Sequence, residues 1–215
     1  MEASTVSHTF RDRSDAGRQL ADLLEERNLD ADIVLAIPRG GLPIGRVVAD
    51  RLGVPLDIVS ARKIGSPTNP ELAVGAVASD GTTWLNESLI DELDIEASVI
   101  ESRIQQEREA ALGKVERYRA GRPPLEVHAK AVLLVDDGIA TGATTIACIR
   151  QLQRMGADSV VVAVPVAPPD TVDRLRTEAD DVLCVQTPHQ FRAVGQFYDT
   201  FDQVSDERAR TYLDA

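Results

Sequence analysis

Three short apolar runs, Ile33 to Ile37, Ala131 to Val135 and Val160 to Val166, constrain the fold of this chain more than any other feature. Each is rich in β-branched residues and nearly continuous, lacking the alternation of a half-exposed strand, so each suits a strand covered on both faces. Leu56 to Ser60, Val74 to Ala78 and Val182 to Val185 are weaker strand candidates. Between the runs lie segments of helical period: Ser14 to Asn28, Leu42 to Leu52, Thr144 to Met155 and Pro169 to Glu178. Strand alternating with helix predicts an α/β fold with a mostly parallel sheet flanked by helices. The segment Asp94 to Arg119 breaks this rhythm. Ile100, Ile104, Ala111, Val115 and Tyr118 recur at helical spacing, and Gly121-Arg122-Pro123-Pro124 stops the pattern, so one long amphipathic helix is expected there. Such a helix is laid on the sheet, packed in a subunit interface, or used as a lid or partner-binding arm.

With 215 residues and 43% apolar residues, the chain reads as one domain over 1–215 with its own core. Its 35 acidic against 23 basic residues give a formal net charge of -12, which argues against a nucleic-acid-binding face. No apolar run approaches the roughly 18 residues that span a bilayer, and the start MEASTVSHTF has neither a basic nor an apolar leader region, so a cytoplasmic protein with no membrane partner is expected. Cys148 and Cys184 lack metal-ligand spacing and sit in apolar stretches, as buried thiols in a reducing compartment would. The isolated His8 and His128 are expected at the surface.

The most informative stretch runs from Val132 to Thr145. A buried strand ends in Asp136 and Asp137, passes through a loop of small residues (Gly138 to Gly142), and enters a helix that starts with Ala143, Thr144 and Thr145. Backbone N–H groups, hydroxyls and the positive end of the helix dipole converge there on a phosphate monoester. Two carboxylates beside that phosphate suit vicinal hydroxyls or a hydrated Mg2+, and together these features describe a ribose 5-phosphate. A Walker loop is excluded, because only three residues separate Gly138 from Gly142 and no Lys follows; a G-x-G-x-x-G motif is absent.

Val-Asp-Asp-Gly-Ile-Ala-Thr-Gly-Ala-Thr resembles the donor signature of the type I phosphoribosyltransferases, with Ala143 where the family often has a second glycine. The resemblance implies a parallel sheet flanked by helices, with 94-119 as an inserted long helix and 187-215 as a C-terminal hood. It implies that Asp136 and Asp137 hold the ribose hydroxyls and Mg2+ of phosphoribosyl pyrophosphate, while Thr141, Gly142, Ala143, Thr144 and Thr145 hold its 5-phosphate. Ala36 to Gly45 resembles the family's pyrophosphate loop, with Arg39, Gly40 and Gly41 as its ligand-facing residues; a plain strand-to-helix turn is the alternative. Ser60 to Gly75 carries Arg62 and Lys63 at a strand end, followed by Gly, Pro and polar residues. It resembles the family's mobile catalytic loop, and the combined motifs are similar to a prokaryotic group of predicted phosphoribosyltransferases.

The implied activity is transfer of the 5-phosphoribosyl group to a small nitrogenous acceptor, in a homodimer, with release of pyrophosphate. Ala140 stands where members acting on 6-oxopurines commonly place an Asp, which disfavours hypoxanthine or guanine; Glu71 is then a candidate base. Thr187 to Tyr198 is rich in aromatic residues. There, Phe191 is a candidate to stack on the acceptor, with His189 and Arg192 beside it, and anchoring of the terminal segment to the core is the alternative. A regulator that binds the donor without catalysis and a hydrolase that uses water as acceptor are competing readings. Retention of Arg62 and Lys63 and the lack of a basic face favour catalysis over regulation.

The basic set contains 20 Arg and only 3 Lys, and Asp outnumbers Glu by 21 to 14. That skew adds charge without flexible apolar stems and points to a salt-loving cytoplasm. Melting temperature and donor affinity should hold or rise from low to molar KCl; a steady decline of the melting temperature over that range would refute the reading.

Overall fold

The computed structural model describes residues 9–214, so the readings of the segment 1–8 and of His8 fall outside the described residues. In chain order the elements are α1 (Arg13–Glu26), β1 (Ile33–Ala36), α2 (Gly41–Leu52), β2 (Leu56–Ile58), β3 (Ala61–Gly65), β4 (Ala73–Ala78) and β5 (Thr83–Leu85). They continue with α3 (Glu87–Glu92), α4 (Ala97–Arg119), β6 (Ala131–Val135), α5 (Ala143–Arg154), β7 (Ser159–Val166), α6 (Pro169–Leu175), β8 (Asp181–Gln186), a 3-10 turn over Val194–Phe197, and α7 (Asp206–Asp214).

Five strands pair in parallel in the order β2-β1-β6-β7-β8. The continuous apolar runs divide by the two-residue period of a strand. Val34, Ala36, Leu133 and Val135 face a cluster that includes Leu20, Leu24 and Val48 of α1 and α2. Ile33, Leu35, Val132 and Leu134 face a second cluster that includes Ile146, Ile149 and Leu152 of α5. Both faces are thereby covered, as the lack of alternation predicts. The helices start where local chemistry allows: the Asp12 side chain accepts from Asp15 N and caps α1, while Pro169 opens α6.

Three expectations need correction. Arg62 and Lys63, expected at a strand end leading into a mobile loop, lie inside strand β3, and β3, β4 and β5 form a separate antiparallel sheet. Val74 to Ala78 therefore belongs to that smaller sheet and not to the parallel one. The long helix begins at Ala97, after the separate short helix α3 capped by the Asn86 side chain. Helix α4 lies along this second sheet: Ile100 packs with Ile64, Val74 and Val77 in a third core cluster, while Tyr118 and Val115 near its other end join the first. Helix α4 thus spans the hairpin and the main domain.

The segment before α1 meets the stretch 197–199, which precedes α7, near the sheet's carboxyl edge. Phe10 N donates to Phe197 O and Asp199 N donates to Phe10 O, each at 2.8 Å. The rings of Phe10 and Tyr198 then lie 5.3 Å apart. Cys148 is buried and Cys184 half-buried, both free, and burial raises the Cys184 thiol to about 12. Among the described residues no helix is long and apolar enough to cross a membrane. Leu133→Ala, which opens a cavity at the centre of the parallel sheet, should cost about 2–5 kcal/mol in denaturant-unfolding stability; a loss below about 1 kcal/mol would contradict the two-faced burial.

Candidate active site

The carboxyl ends of β2, β1 and β6 stand side by side, because Ala36 is in register with Ile58 on one side and Val135 on the other. Three successive connections leave from this edge: 37–40 into α2, 59–60 into the β3–β4 hairpin, and 136–142 into α5. In open α/β sheets ligands bind in such a crevice outside the strand carboxyl ends. Gly40 is what lets the first and third connections touch. A Cβ there would overlap the Asp137 carboxylate, and one on Gly41 would meet Val135 O at 2.9 Å. Arg39, Gly40, Gly41, Asp136 and Asp137 are therefore brought to one point.

Asp136 and Asp137 form a carboxylate pair that its environment resists. Asp137 N donates to Asp136 Oδ1 at 2.8 Å. Burial, then the neighbouring Asp137 charge, pushes the Asp136 carboxyl well above the usual carboxylate range. Burial raises Asp137 too, opposed chiefly by Arg13. Arg13 Nε donates to Asp137 Oδ2 at 2.8 Å, with only 12% and 14% of the two side chains exposed. The Arg13 guanidinium lies 3.9 Å from the Phe201 ring centroid, and its Nη1 donates to Asp202 O at 2.7 Å. Tyr198 Oη donates to Asp137 O at 2.5 Å. Residues from the first helix and from the segment 198–202 thus hold the second carboxylate in place.

Beyond the acidic pair, the loop turns at Gly142, whose φ of +79° lies in the left-handed region open to glycine, and α5 starts there with no side-chain cap. The first amides of α5, at Ala143, Thr144 and Thr145, are positioned for an anion. Ala140 and Thr141 are exposed, Thr144 is partly exposed and Thr145 is buried. Thr171 Oγ1 on α6 donates to Ala140 O at 2.7 Å and fixes the loop from the far side.

The cations near this edge are paired internally. Arg39 Nη1 lies 3.4 Å from Asp206 Oδ1, which also accepts from Tyr118 Oη at 2.6 Å. Arg62 Nε donates to Glu107 Oε2 and Lys63 Nζ to Glu71 Oε2, each at 2.8 Å. Lys63 holds the Glu71 carboxyl below its ordinary range, which weakens Glu71 as a base while the pair is intact. Lys114 Nζ on α4 donates to Pro38 O at 2.8 Å, directly beside Arg39.

Phe191 is partly buried and packs against the first core cluster. Its ring lies 5.1 Å from that of Phe197, the geometry of the anchoring alternative, while His189 and Arg192 are exposed. Sequence reasoning missed Arg13, Lys114, Thr171 and Asp206. A signal for Lys114 lies in its rarity, since it is one of three lysines and as uncommon in this background as Lys63. As for a metal, two adjacent carboxylates are hard oxygen donors that suit Mg2+. Among the described residues no group of three or more His, Cys, Asp or Glu side chains could hold one, so substrate oxygens and water would complete its shell.

The sequence profile of the phosphoribosyl transferase domain matches residues 12–200. Two Mycobacterium tuberculosis proteins, from strains CDC 1551 and H37Rv, that carry the provisional name of phosphoribosyl transferase are each 42% identical over 205 residues. The match takes in 95% of this chain and 46% of theirs, so the chain spans about half the length of these relatives. The crystal structure of TT1426 from Thermus thermophilus is 41% identical and superposes with a TM-score of 0.81, covering 95% of this chain and 97% of that one.

The charge balance of the acidic pair gives two opposite expectations at pH 7 in EDTA. Arg13→Met, which strands the Asp137 carboxylate, should lower stability by about 3 kcal/mol, whereas Asp136→Asn should raise the melting temperature. Thermal melts decide the matter, and a destabilised Asp136→Asn protein would contradict the burial argument.

Proposed function

Because the chain belongs to the phosphoribosyl transferase domain family, we propose that it transfers the 5-phosphoribosyl group of phosphoribosyl pyrophosphate to a small nitrogenous acceptor. The supporting observation is the contact between Gly40 and the Asp137 carboxylate, which places the Arg39 loop and the acidic pair at one point. A donor with a diphosphate at one end and a phosphate at the other needs three adjoining subsites. In this reading the diphosphate lies at Arg39, Gly40 and Gly41, the ribose hydroxyls at Asp136 and Asp137, and the 5-phosphate at Thr141 to Thr145.

In the reaction the bond from ribose C1 to the pyrophosphate oxygen breaks, its electron pair leaves with pyrophosphate, and a bond from C1 to the acceptor nitrogen forms as that nitrogen loses its proton. Positive charge develops on the ribose and negative charge on the leaving group. Asp136 and Asp137 would hold the hydroxyls of the first, while Arg39 and, from opposite faces of β3, Arg62 and Lys63 would supply charge to the second. Mg2+ held through Asp136 and Asp137 would supply charge to the pyrophosphate oxygens. Arg39 and Lys63 must leave Asp206 and Glu71 to meet a phosphate. Both pairs are largely exposed, and such pairs are worth about 0–1 kcal/mol, so the exchange is cheap. Once Lys63 moves to the diphosphate, Glu71, with its side chain 88% exposed, is freed to take the acceptor proton. Ala140 keeps its place in this reading as a position without a carboxylate, which disfavours a 6-oxopurine.

The test is donor binding and pyrophosphate release with Mg2+ and a panel of purines, pyrimidines and small amines. Asp136→Ala/Asp137→Ala should abolish donor binding, and Lys63→Ala should lower turnover at least about tenfold more than it weakens binding. Failure of the unaltered protein to bind the donor would overturn the proposal, and steady pyrophosphate release without acceptor would identify a hydrolase.

A further inference from the structure

We propose that Lys114, on helix α4, completes the anion subsite at Arg39 and contacts the diphosphate end of the donor; this rests on the donor reading above. Lys114 belongs to none of the three connections that carry the site, and the helix it sits on packs along the second sheet. Its Nζ nevertheless donates to Pro38 O at 2.8 Å, one residue before Arg39. Arg62 of β3 reaches the same helix two turns earlier, at Glu107, Arg39 follows Pro38 directly, and the charges of both guanidiniums bear on the Lys114 ammonium.

The partners of these cations differ. Arg39 and Arg62 each have a carboxylate, Asp206 and Glu107 respectively, whereas Lys114 donates to a carbonyl. Burial, then the charges of Arg62 and Arg39, pushes the Lys114 ammonium below its ordinary range, and the opposing pull of Asp136 and Asp206 does not restore it. An ammonium in that setting is short of negative charge. A diphosphate seated at Arg39 would supply it, while the hydrogen bond to Pro38 O holds the lysine in position in the meantime. A purely structural clamp on Pro38 would explain the hydrogen bond, but not why the ammonium is set one residue from the Arg39 backbone and on the helix that holds Arg62.

Isothermal titration of the full chain in Mg2+ with inorganic pyrophosphate, phosphoribosyl pyrophosphate and ribose 5-phosphate separates the two roles. Lys114→Met should weaken pyrophosphate and the donor by about tenfold or more and leave ribose 5-phosphate unchanged, and Lys114→Arg should recover most of the loss. Pyrophosphate affinity within twofold of the unaltered protein, or an equal loss for ribose 5-phosphate, would overturn the assignment and leave the donor reading standing. An unaltered protein that binds neither pyrophosphate nor the donor would overturn both.

Discussion

Placing two carboxylates side by side at the end of a buried strand costs free energy, and much of the molecule is arranged around that cost. Asp137 of this pair is held by Arg13, which stands at the start of α1, far from it in sequence. Arg13 can serve only if α1 begins at the sheet's carboxyl edge, and it does so because Asp12 caps the helix at that point. Phe201 and the Asp202 carbonyl then fix the guanidinium, and Tyr198 fixes the Asp137 backbone. The junction between Phe10 and Tyr198 is therefore part of the support for the acidic pair.

The other cations follow a different rule. Arg13 is sheltered and committed to its partner, whereas Arg39, Arg62 and Lys63 are paired with carboxylates that water can also solvate. Sheltered pairs orient; exposed pairs exchange. A site built this way keeps its acidic floor rigid and its basic walls free to change partner. Helix α4 links those walls, since Glu107, Lys114 and Tyr118 on one helix reach Arg62, Pro38 and Asp206.

The parallel sheet and the donor loop are legible in the sequence because both are written in contiguous residues. Continuous β-branched runs signal two-sided burial, and Asp136 to Thr145 carries its chemistry in ten consecutive positions. Arg62 and Lys63 read as the end of a strand because the Gly and Pro content that follows them describes the turn at 66–72, while the antiparallel pairing that carries β3 on through them is a non-local fact. Arg13, Thr171 and Asp206 escape notice for the same reason. Each acts across 31 to 167 residues of separation, and no local period marks such a partner. Phe191 is ambiguous because an aromatic residue that anchors a tail and one that stacks on a base have the same composition. Only the 5.1 Å approach to Phe197 favours anchoring.

A net charge of -12 would repel a polyanion if it were spread evenly. It is not. Arg39, Arg62, Lys63 and Lys114 lie on the elements that border a single crevice, and several of the acidic residues nearby, Glu71, Glu107 and Asp206, are their partners. With a Debye length of about 8 Å at physiological salt, the distant surface charge is screened while this local group is not. In the proposed reading, an approaching phosphate would meet cations whose internal partners it can replace, and the displaced carboxylates would turn toward water. An acidic surface and the proposed anion site are compatible because screening separates them and because Asp206 and Glu71, the partners of Arg39 and Lys63, are exposed.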